Sequence, residues 1–139
     1  MKSSQWFDLV NAPGGIALGV TFEGTGAGTA KIYPNGRIIL TLTTAAQVSK
    51  YVKLTTPYAM KVLDAFSIHG NATACTWAVA NGSDNIIGAV TVAASDTDID
   101  RALDVDDAYN TFASGDDDLQ IDIATAGFLG VLVIDTQLL

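Results

Sequence analysis

Alternation of apolar and polar residues, interrupted by turn residues, is the feature that most constrains the fold of this chain. Within residues 74–80, Cys75, Trp77 and Val79 alternate with small or polar residues. Because successive side chains in a strand point to opposite faces, this pattern predicts a half-buried strand. An Asn-Gly-Ser-Asp-Asn segment follows, and then a second apolar run at 86–93. Residues 74–93 are therefore predicted to form a β-hairpin.

A second hairpin is predicted around Pro34-Asn35-Gly36, which lies between the apolar runs 30–33 and 37–43. Asn-Gly between apolar runs is a strong local signal for a two-strand turn. The same reasoning predicts further strands, at 16–22, 48–54, 59–69 and 119–123. Residues 128–134 are almost continuously apolar. Such a run is typical of a central strand covered on both faces, and we expect that here.

Eight to ten short strands separated by turn residues predict an all-β domain, a β-sandwich or jelly roll. The alternation and the apolar runs predict seven inward side chains: Phe66, Trp77, Val79, Ile121, Ile123, Val131 and Val133. One short helix is predicted near 104–112, with Asp104 as its N-cap and Gly115 ending it, and no other substantial helix is expected. Gly-rich stretches at 13–15 and 24–28 predict an arm or irregular lobe over residues 1–28, with the sandwich domain over 29–139.

The charge is low in amount and uneven along the chain. Charged residues make up only 16%, and such a neutral surface suits subunit packing, although secreted β proteins share it. Residues 1–61 hold six basic and two acidic side chains, whereas residues 62–139 hold one basic and thirteen acidic ones. This asymmetry indicates either a solvated acidic loop region or basic and acidic surfaces that meet head to tail between subunits. The net charge of −8 argues against a nucleic-acid partner.

Residues for catalysis or cofactor binding are scarce. The chain has one histidine, His69, and one cysteine, Cys75, too few for a structural zinc site or an internal disulfide. We expect His69 at the surface or in a turn and Cys75 as a small buried side chain in a strand. The Gly24–Gly28 stretch leads into a strand-like segment, so it does not fit a phosphate-binding loop. The sequence therefore predicts no enzyme, no catalytic residues and no cofactor.

Aspartates cluster between residues 96 and 118, at Asp96, Asp98, Asp100 and 116–118. An EF-hand is excluded because Arg101 stands where its loop needs glycine and the closing glutamate is missing. An irregular calcium site, solvated turns and contact with a partner's lysines all stay open. The N-terminal residues lack the apolar core of a signal peptide and no window is apolar enough to span a bilayer, so no membrane partner is expected.

Four segments of the second half carry a resemblance to a known family: 61–66, the hairpin 79–87, the stretch from 98–102 through 106–116, and the strand pair 119–123 and 128–134. Over residues 59–135 the chain resembles the head-decoration, or cement, proteins of tailed bacteriophages. The resemblance implies a homo-oligomer, a trimer, made in the host cytoplasm. It would bind the major capsid protein on the outer surface of the virion and stabilise the head.

The N-terminal third is the expected capsid contact, and residues 1–61 hold six of the seven basic side chains. The candidate capsid or subunit contacts are Lys2, Trp6, Lys31, Arg37, Lys50, Lys53, Asp106 and Asp107. Two other functions stay open at this point. One is a phage tail or fibre component. The other is a carbohydrate-binding sandwich that uses Trp6, Tyr58 or Trp77 as a stacking platform.

Overall fold

A computed structural model describes residues 3–55, 58–81, 84–93, 99–102, 104–106, 110–112 and 118–139. Its elements are the helix α1 (Ser3–Val10) and the strands β1 (Ile16–Phe22), β2 (Ala27–Ile32), β3 (Arg37–Thr44), β4 (Tyr51–Thr55), β5 (Met60–His69), β6 (Cys75–Asn81), β7 (Asp84–Val92), β8 (Asp100–Arg101), β9 (Thr111–Phe112), β10 (Asp118–Ala124) and β11 (Gly130–Leu138). The described chain is nearly all β, and the prediction of an all-β, sandwich-like domain is confirmed.

The strands form one antiparallel sheet in the order β7-β6-β10-β4-β1-β2-β3-β11-β5-β8, with β9 also on β5. The sheet curls into a near-barrel because β1 changes partners along its length. Its residues 16–18 pair with β2, and residues 19–22 pair with β4. We call the strands β2, β3, β11, β5 and β8 layer A and the strands β4, β10, β6 and β7 layer B. A strand shared by both layers is a usual way to turn the corner of a sandwich.

The core lies between the two layers. Trp77 and Val79 of β6 are fully buried, and Ile121 and Ile123 of β10 are buried opposite them in register, as predicted. The indole N–H of Trp77 donates a hydrogen bond of 2.8 Å to the hydroxyl of Ser67 on β5. Because a buried indole needs an acceptor, this bond fixes how layer B packs on layer A.

Both predicted hairpins are present. In the hairpin of β2 and β3, the amide of Tyr33 donates to the carbonyl of Arg37 (2.9 Å), and Gly36 has the positive φ of 86° that the turn requires. In the hairpin predicted over residues 74–93, β6 and β7 pair from Cys75–Val92 to Asn81–Asp84. Local turn chemistry was therefore sufficient to locate both.

The predicted inward direction is wrong for Phe66 and Val131, and Val133, although buried (8% exposed), lies on the same outer side of the sheet. Val131 and Val133 of β11 lie on the outer side of layer A with Phe66 of β5, whereas Leu132 and Ile134 point into the core. A one-residue shift reverses every side chain in a strand, and a continuous apolar run has no alternation with which to set that choice. The pairing of β5 with β11 also contains a bulge between Asp135 and Thr136.

The helix predicted near 104–112 is absent from the described residues of that segment. Residues 104–106 and 110 have no regular structure, 111–112 form β9, and 107–109 lie outside the described residues. The backbone groups here bond to neighbouring strands: the amide of Asp106 donates to the carbonyl of Ile86 (2.8 Å), and Asn110 accepts from Val62 (2.8 Å). Tertiary partners thus replace the bonds that a helix would make.

The short helix stands at the N-terminus instead, as α1, where no helix was expected. Leu9 is completely buried and belongs to the core cluster. The side chain of Asn11 ends the helix by donating a hydrogen bond of 2.8 Å to the carbonyl of Phe7. Burial, and secondarily the charge of Asp8 in α1, raise the pKa of Tyr58. Residues 16–28 also differ from the predicted irregular arm, because β1 and the start of β2 are internal members of the sheet. The end of the predicted arm at residue 28 therefore does not follow a boundary of the sheet.

Trp77→Ala should lower the free energy of unfolding by about 3–5 kcal/mol, because it removes the largest buried side chain and leaves a cavity between the layers. Urea denaturation monitored by far-UV circular dichroism measures the loss. Trp77→Phe, which keeps most of the ring volume, should cost less. A loss below about 1 kcal/mol for the alanine variant would contradict the packing described here.

Candidate functional site

His69 and Cys75 are the first place to look for chemistry, because they are adjacent in the core. His69 is completely buried at the end of β5, so the expectation of a surface histidine is wrong. Its position follows from the alternation of β5, in which Ala65, Ser67 and His69 point inward. The imidazole stacks on Phe128 with ring centroids 5.3 Å apart, and its Nδ1 lies 3.9 Å from Sγ of Cys75.

The contacts of this pair identify it as part of the core rather than a catalytic dyad. Nε2 of His69 lies 2.9 Å from the carbonyl oxygen of Thr73, which can only accept, so Nε2 carries a hydrogen. Burial, and secondarily the charge of Asp100, raise the pKa of Cys75 to about 11. A nucleophilic cysteine needs the opposite shift and access to solvent. Cys75 is a free, buried thiol, as predicted.

Metal binding finds no support among the described residues, where no three His, Cys, Asp or Glu side chains come together. Much of the predicted aspartate cluster lies outside them: residues 96, 98, 116 and 117, together with the side chain of Asp118. The calcium hypothesis for 96–118 therefore stays a prediction.

The Cys75 thiol should be unreactive in the folded protein. The shift of its pKa from 9.0 to about 11 lowers the thiolate fraction near pH 8 about a hundredfold, and burial slows access further. Reaction with Ellman's reagent, with and without urea, measures this, and rapid labelling of the native wild type would contradict the assignment.

Because the pKa of Cys75 is raised in the folded state, its contribution to the free energy of unfolding is fully present below pH 9 and is lost as the pH rises towards 11. Cys75→Ala should lack this pH dependence of the free energy of unfolding.

The outer surface of layer A is the more unusual feature of the molecule. We define the outer A face by Ile39, Phe66, Ile68, Val131 and Val133. In register, Ile39 lies opposite Val133, Val133 opposite Phe66, and Phe66 opposite Arg101. These apolar residues are not members of the core cluster: Ile68 is 43% exposed, Ile39, Phe66 and Val131 are half-buried, and Val133 is 8% exposed. The solvated face of an antiparallel sheet normally carries polar side chains. The apolar side chains on this face therefore suit it to contact with another surface.

Two arginines lie over the centre of this face. The guanidinium carbons of Arg101 and Arg37 are 4.7 Å and 5.5 Å from the ring centroid of Phe66. Both distances are within the range of a cation–π contact. The ring therefore holds two cations at the surface, one from β8 and one from β3.

Each arginine is also fixed by a carboxylate. Arg37 contacts Asp135 at 2.8 and 3.2 Å through two nitrogens, and Arg101 contacts Asp64 at 2.6 Å. The hydrogen bond from Arg37 to Asp135, and then their Coulombic attraction, raise the pKa of Arg37. Asp64 and Asp135 lie directly opposite each other in β5 and β11, an arrangement that is unfavourable without neutralising partners. The two arginines supply that neutralisation.

This arrangement is suited to recognition of a protein surface. Exposed ion pairs contribute little to stability, but arginines held in fixed positions lose less side-chain entropy when they bind. Arginine and aromatic side chains are also enriched among the residues that carry interface energy. The described face offers an apolar centre with charges around it, and nothing in it forms a nucleophile and base pair.

A cavity lies at each end of the outer A face. One, of about 400 Å³, is open and lined by Pro13, Tyr33, Pro34, Asn35, Arg37 and Ile39. The other, of about 470 Å³, is a groove lined by residues 87–91 of β7 with Asp100, Arg101 and Asp104. Arg37 and Arg101 thus line the face and one cavity each. Side chains that protrude from a partner could enter both.

The contact residues predicted from the sequence do not form one surface. Lys31 lies opposite Ile39 and, with Arg37, belongs to the outer side of layer A. Lys53 is on the outer side of layer B, with its ammonium 5.2 Å from the centre of the Tyr51 ring. Lys50, in the loop between β3 and β4, lies 3.6 Å from Glu23 in the loop between β1 and β2.

The remaining predicted contacts are in other places. Asp106 is exposed in the loop after β8, whereas Lys2, Asp107 and the side chain of Trp6 lie outside the described residues. Sequence reasoning missed Asp64, Arg101 and Asp135 and placed Phe66 in the core. The apolar run at 128–134 was the one signal that pointed to this face.

No family model, curated protein or solved structure matches the chain. The described residues include no helix that is long and apolar enough to cross a membrane. Two of the three aromatic residues considered as a sugar platform are unsuitable, because Trp77 and Tyr58 are buried. The geometry therefore favours the outer A face as the candidate functional site.

Proposed function

We propose that this protein is a structural virion protein, a decoration or cement protein on the outer surface of a tailed-phage head. In this proposal it works as a homo-oligomer, a trimer, that contacts the major capsid protein and has no catalytic role or cofactor. The resemblance over residues 59–135 suggests the class of protein. The outer A face supplies a physical reason for assembly that is independent of that resemblance.

The observation that carries the proposal is the two-sided apolar character of β11. Leu132 and Ile134 cover the core, while Val131 and Val133 form part of the outer A face. A strand with this composition is normally covered on both sides. A neighbouring subunit would complete the cover over Val131 and Ile68, since Val133 is already only 8% exposed, and burial of apolar area at about 25 cal/mol per Å² would drive the contact.

Ile68→Glu should reduce occupancy on purified capsids that lack this protein, because it places a charge within the contact. Val48→Glu is the matched control, since Val48 is a β-branched residue of similar exposure (38%) in the loop before β4. Both variants should unfold at nearly the wild-type temperature. Cosedimentation of capsids with labelled protein measures the bound copies. Equal occupancy by the two variants would remove the outer A face from the contact, and failure of the wild type to bind capsids would reject the proposed function.

A further inference from the structure

The edge formed by β7 and β8 is the second unusual surface of the molecule. These strands are the two ends of the sheet, and in the described residues β7 pairs with β6 and β8 pairs with β5. The groove of about 470 Å³ lies between them. We call this region the β7–β8 edge, defined by Asp84–Val92, Asp100 and 104–106.

Among the described residues, the β7 strand has little of the usual protection of an edge. Residues 85–92 contain no charged residue and no proline, whereas exposed edges in soluble proteins normally carry lysine, proline or a covering segment. Asp106 covers one position by donating its amide to the carbonyl of Ile86. Beyond it, Gly88, Ala89 and Thr91 are exposed. Their small side chains allow another surface to approach closely.

The charges near this edge are mainly acidic. Asp100 and Asp104 line the groove, Asp84 begins β7, and Asp106 is exposed in the adjoining loop. Arg101 also lines the groove, but it contacts Asp64 and Phe66. The edge therefore favours a partner that combines apolar and basic residues.

The outer side of layer A has the complementary composition. Its apolar centre is accompanied by Lys31 on β2 and Lys61 on β5, in addition to the two paired arginines. Asp64 and Asp135 balance the arginines, so the lysines leave a positive excess. We propose that the outer A face of one copy of this chain binds the β7–β8 edge of a second copy.

This contact is heterologous, because it joins two different surfaces. A symmetric pairing of two outer A faces would bring lysines together, and a symmetric pairing of two edges would bring aspartates together. Head-to-tail contacts close into rings when the rotation between copies permits. The inference rests on the proposed function only in that both require the outer A face to be covered.

The test uses charge reversal on each surface. One variant, the edge variant, carries Asp84→Lys and Asp104→Lys; the other, the face variant, carries Lys31→Asp and Lys61→Asp. In each variant the face of one copy and the edge of the next carry the same sign of charge. The dissociation constant for self-association should therefore rise at least about tenfold. A mixture of the two should recover association, because the edge of the edge variant attracts the face of the face variant, and the unchanged face of the first attracts the unchanged edge of the second. A ring of three must still join two copies of the same variant, so the mixture should give dimers and even-numbered species rather than the wild-type trimer. Light scattering coupled to size exclusion, with equimolar mixing, measures this against the 14.4 kDa monomer.

The matched control carries Lys50→Asp and Lys53→Asp, which change the net charge by the same amount as the face variant. Lys53 lies on β4 of layer B, and Lys50 lies in the loop before that strand. It should associate like the wild type, and thermal unfolding verifies that all variants fold. Self-association that persists in either variant, or a mixture that stays monomeric, would overturn the inference. A wild type that is monomeric up to about 1 mM would also overturn it, since specific contacts are tighter than that. Capsid occupancy is measured separately, so the proposed function can fail or hold independently.

Discussion

A strand in a single curled sheet can bury only one of its faces in the core that the sheet encloses. In layer B this constraint is met, because β10 alternates Leu119, Ile121 and Ile123 inward with Gln120 and Asp122 outward. In layer A it is not met, because β11 is apolar on both sides. The inward side packs under the sheet, and the outward side forms a second apolar group with Phe66 and Ile39. These outward apolar side chains make a partner surface necessary for their complete burial.

The charged residues of layer A are organised around the same excess. Two aspartates face each other across β5 and β11, and each brings an arginine from a flanking strand over the Phe66 ring. Exposed pairs of this kind contribute roughly 0–1 kcal/mol each to stability. Their main effect is therefore on the shape and charge of the surface: they fix two cations over an aromatic ring that would otherwise be more exposed.

The sequence predicted the strands and hairpins well because those features depend on local patterns. Alternation located β6 and β10, and Asn35-Gly36 located the turn between β2 and β3. The register of β11 could not be predicted, since a run without alternation fits either face. The predicted helix near 104–112 failed because long-range bonds from Asp106 and Asn110 replaced local ones.

The site was harder to predict than the fold, for a related reason. Arg37 and Asp135 are 98 positions apart, and only the strand order brings β3 beside β11. His69 also depended on register, because its inward position follows from the alternation of β5 rather than from the adjacent turn. Residues of this kind are recognisable only after the strand order is known.

The uneven charge along the chain becomes meaningful only through that same strand order. In sequence, basic residues dominate the first half, but the fold divides them: Lys31 joins the outer side of layer A, and Lys53 joins the outer side of layer B opposite Gln120. Arg101, the one cation of the second half, is returned to layer A by the pairing of β8 with β5. Layer A therefore gains basic character while the neighbouring β7–β8 edge keeps aspartates. Charge separated along the chain has become charge separated between two adjacent apolar surfaces, and attraction between copies is then directional rather than general.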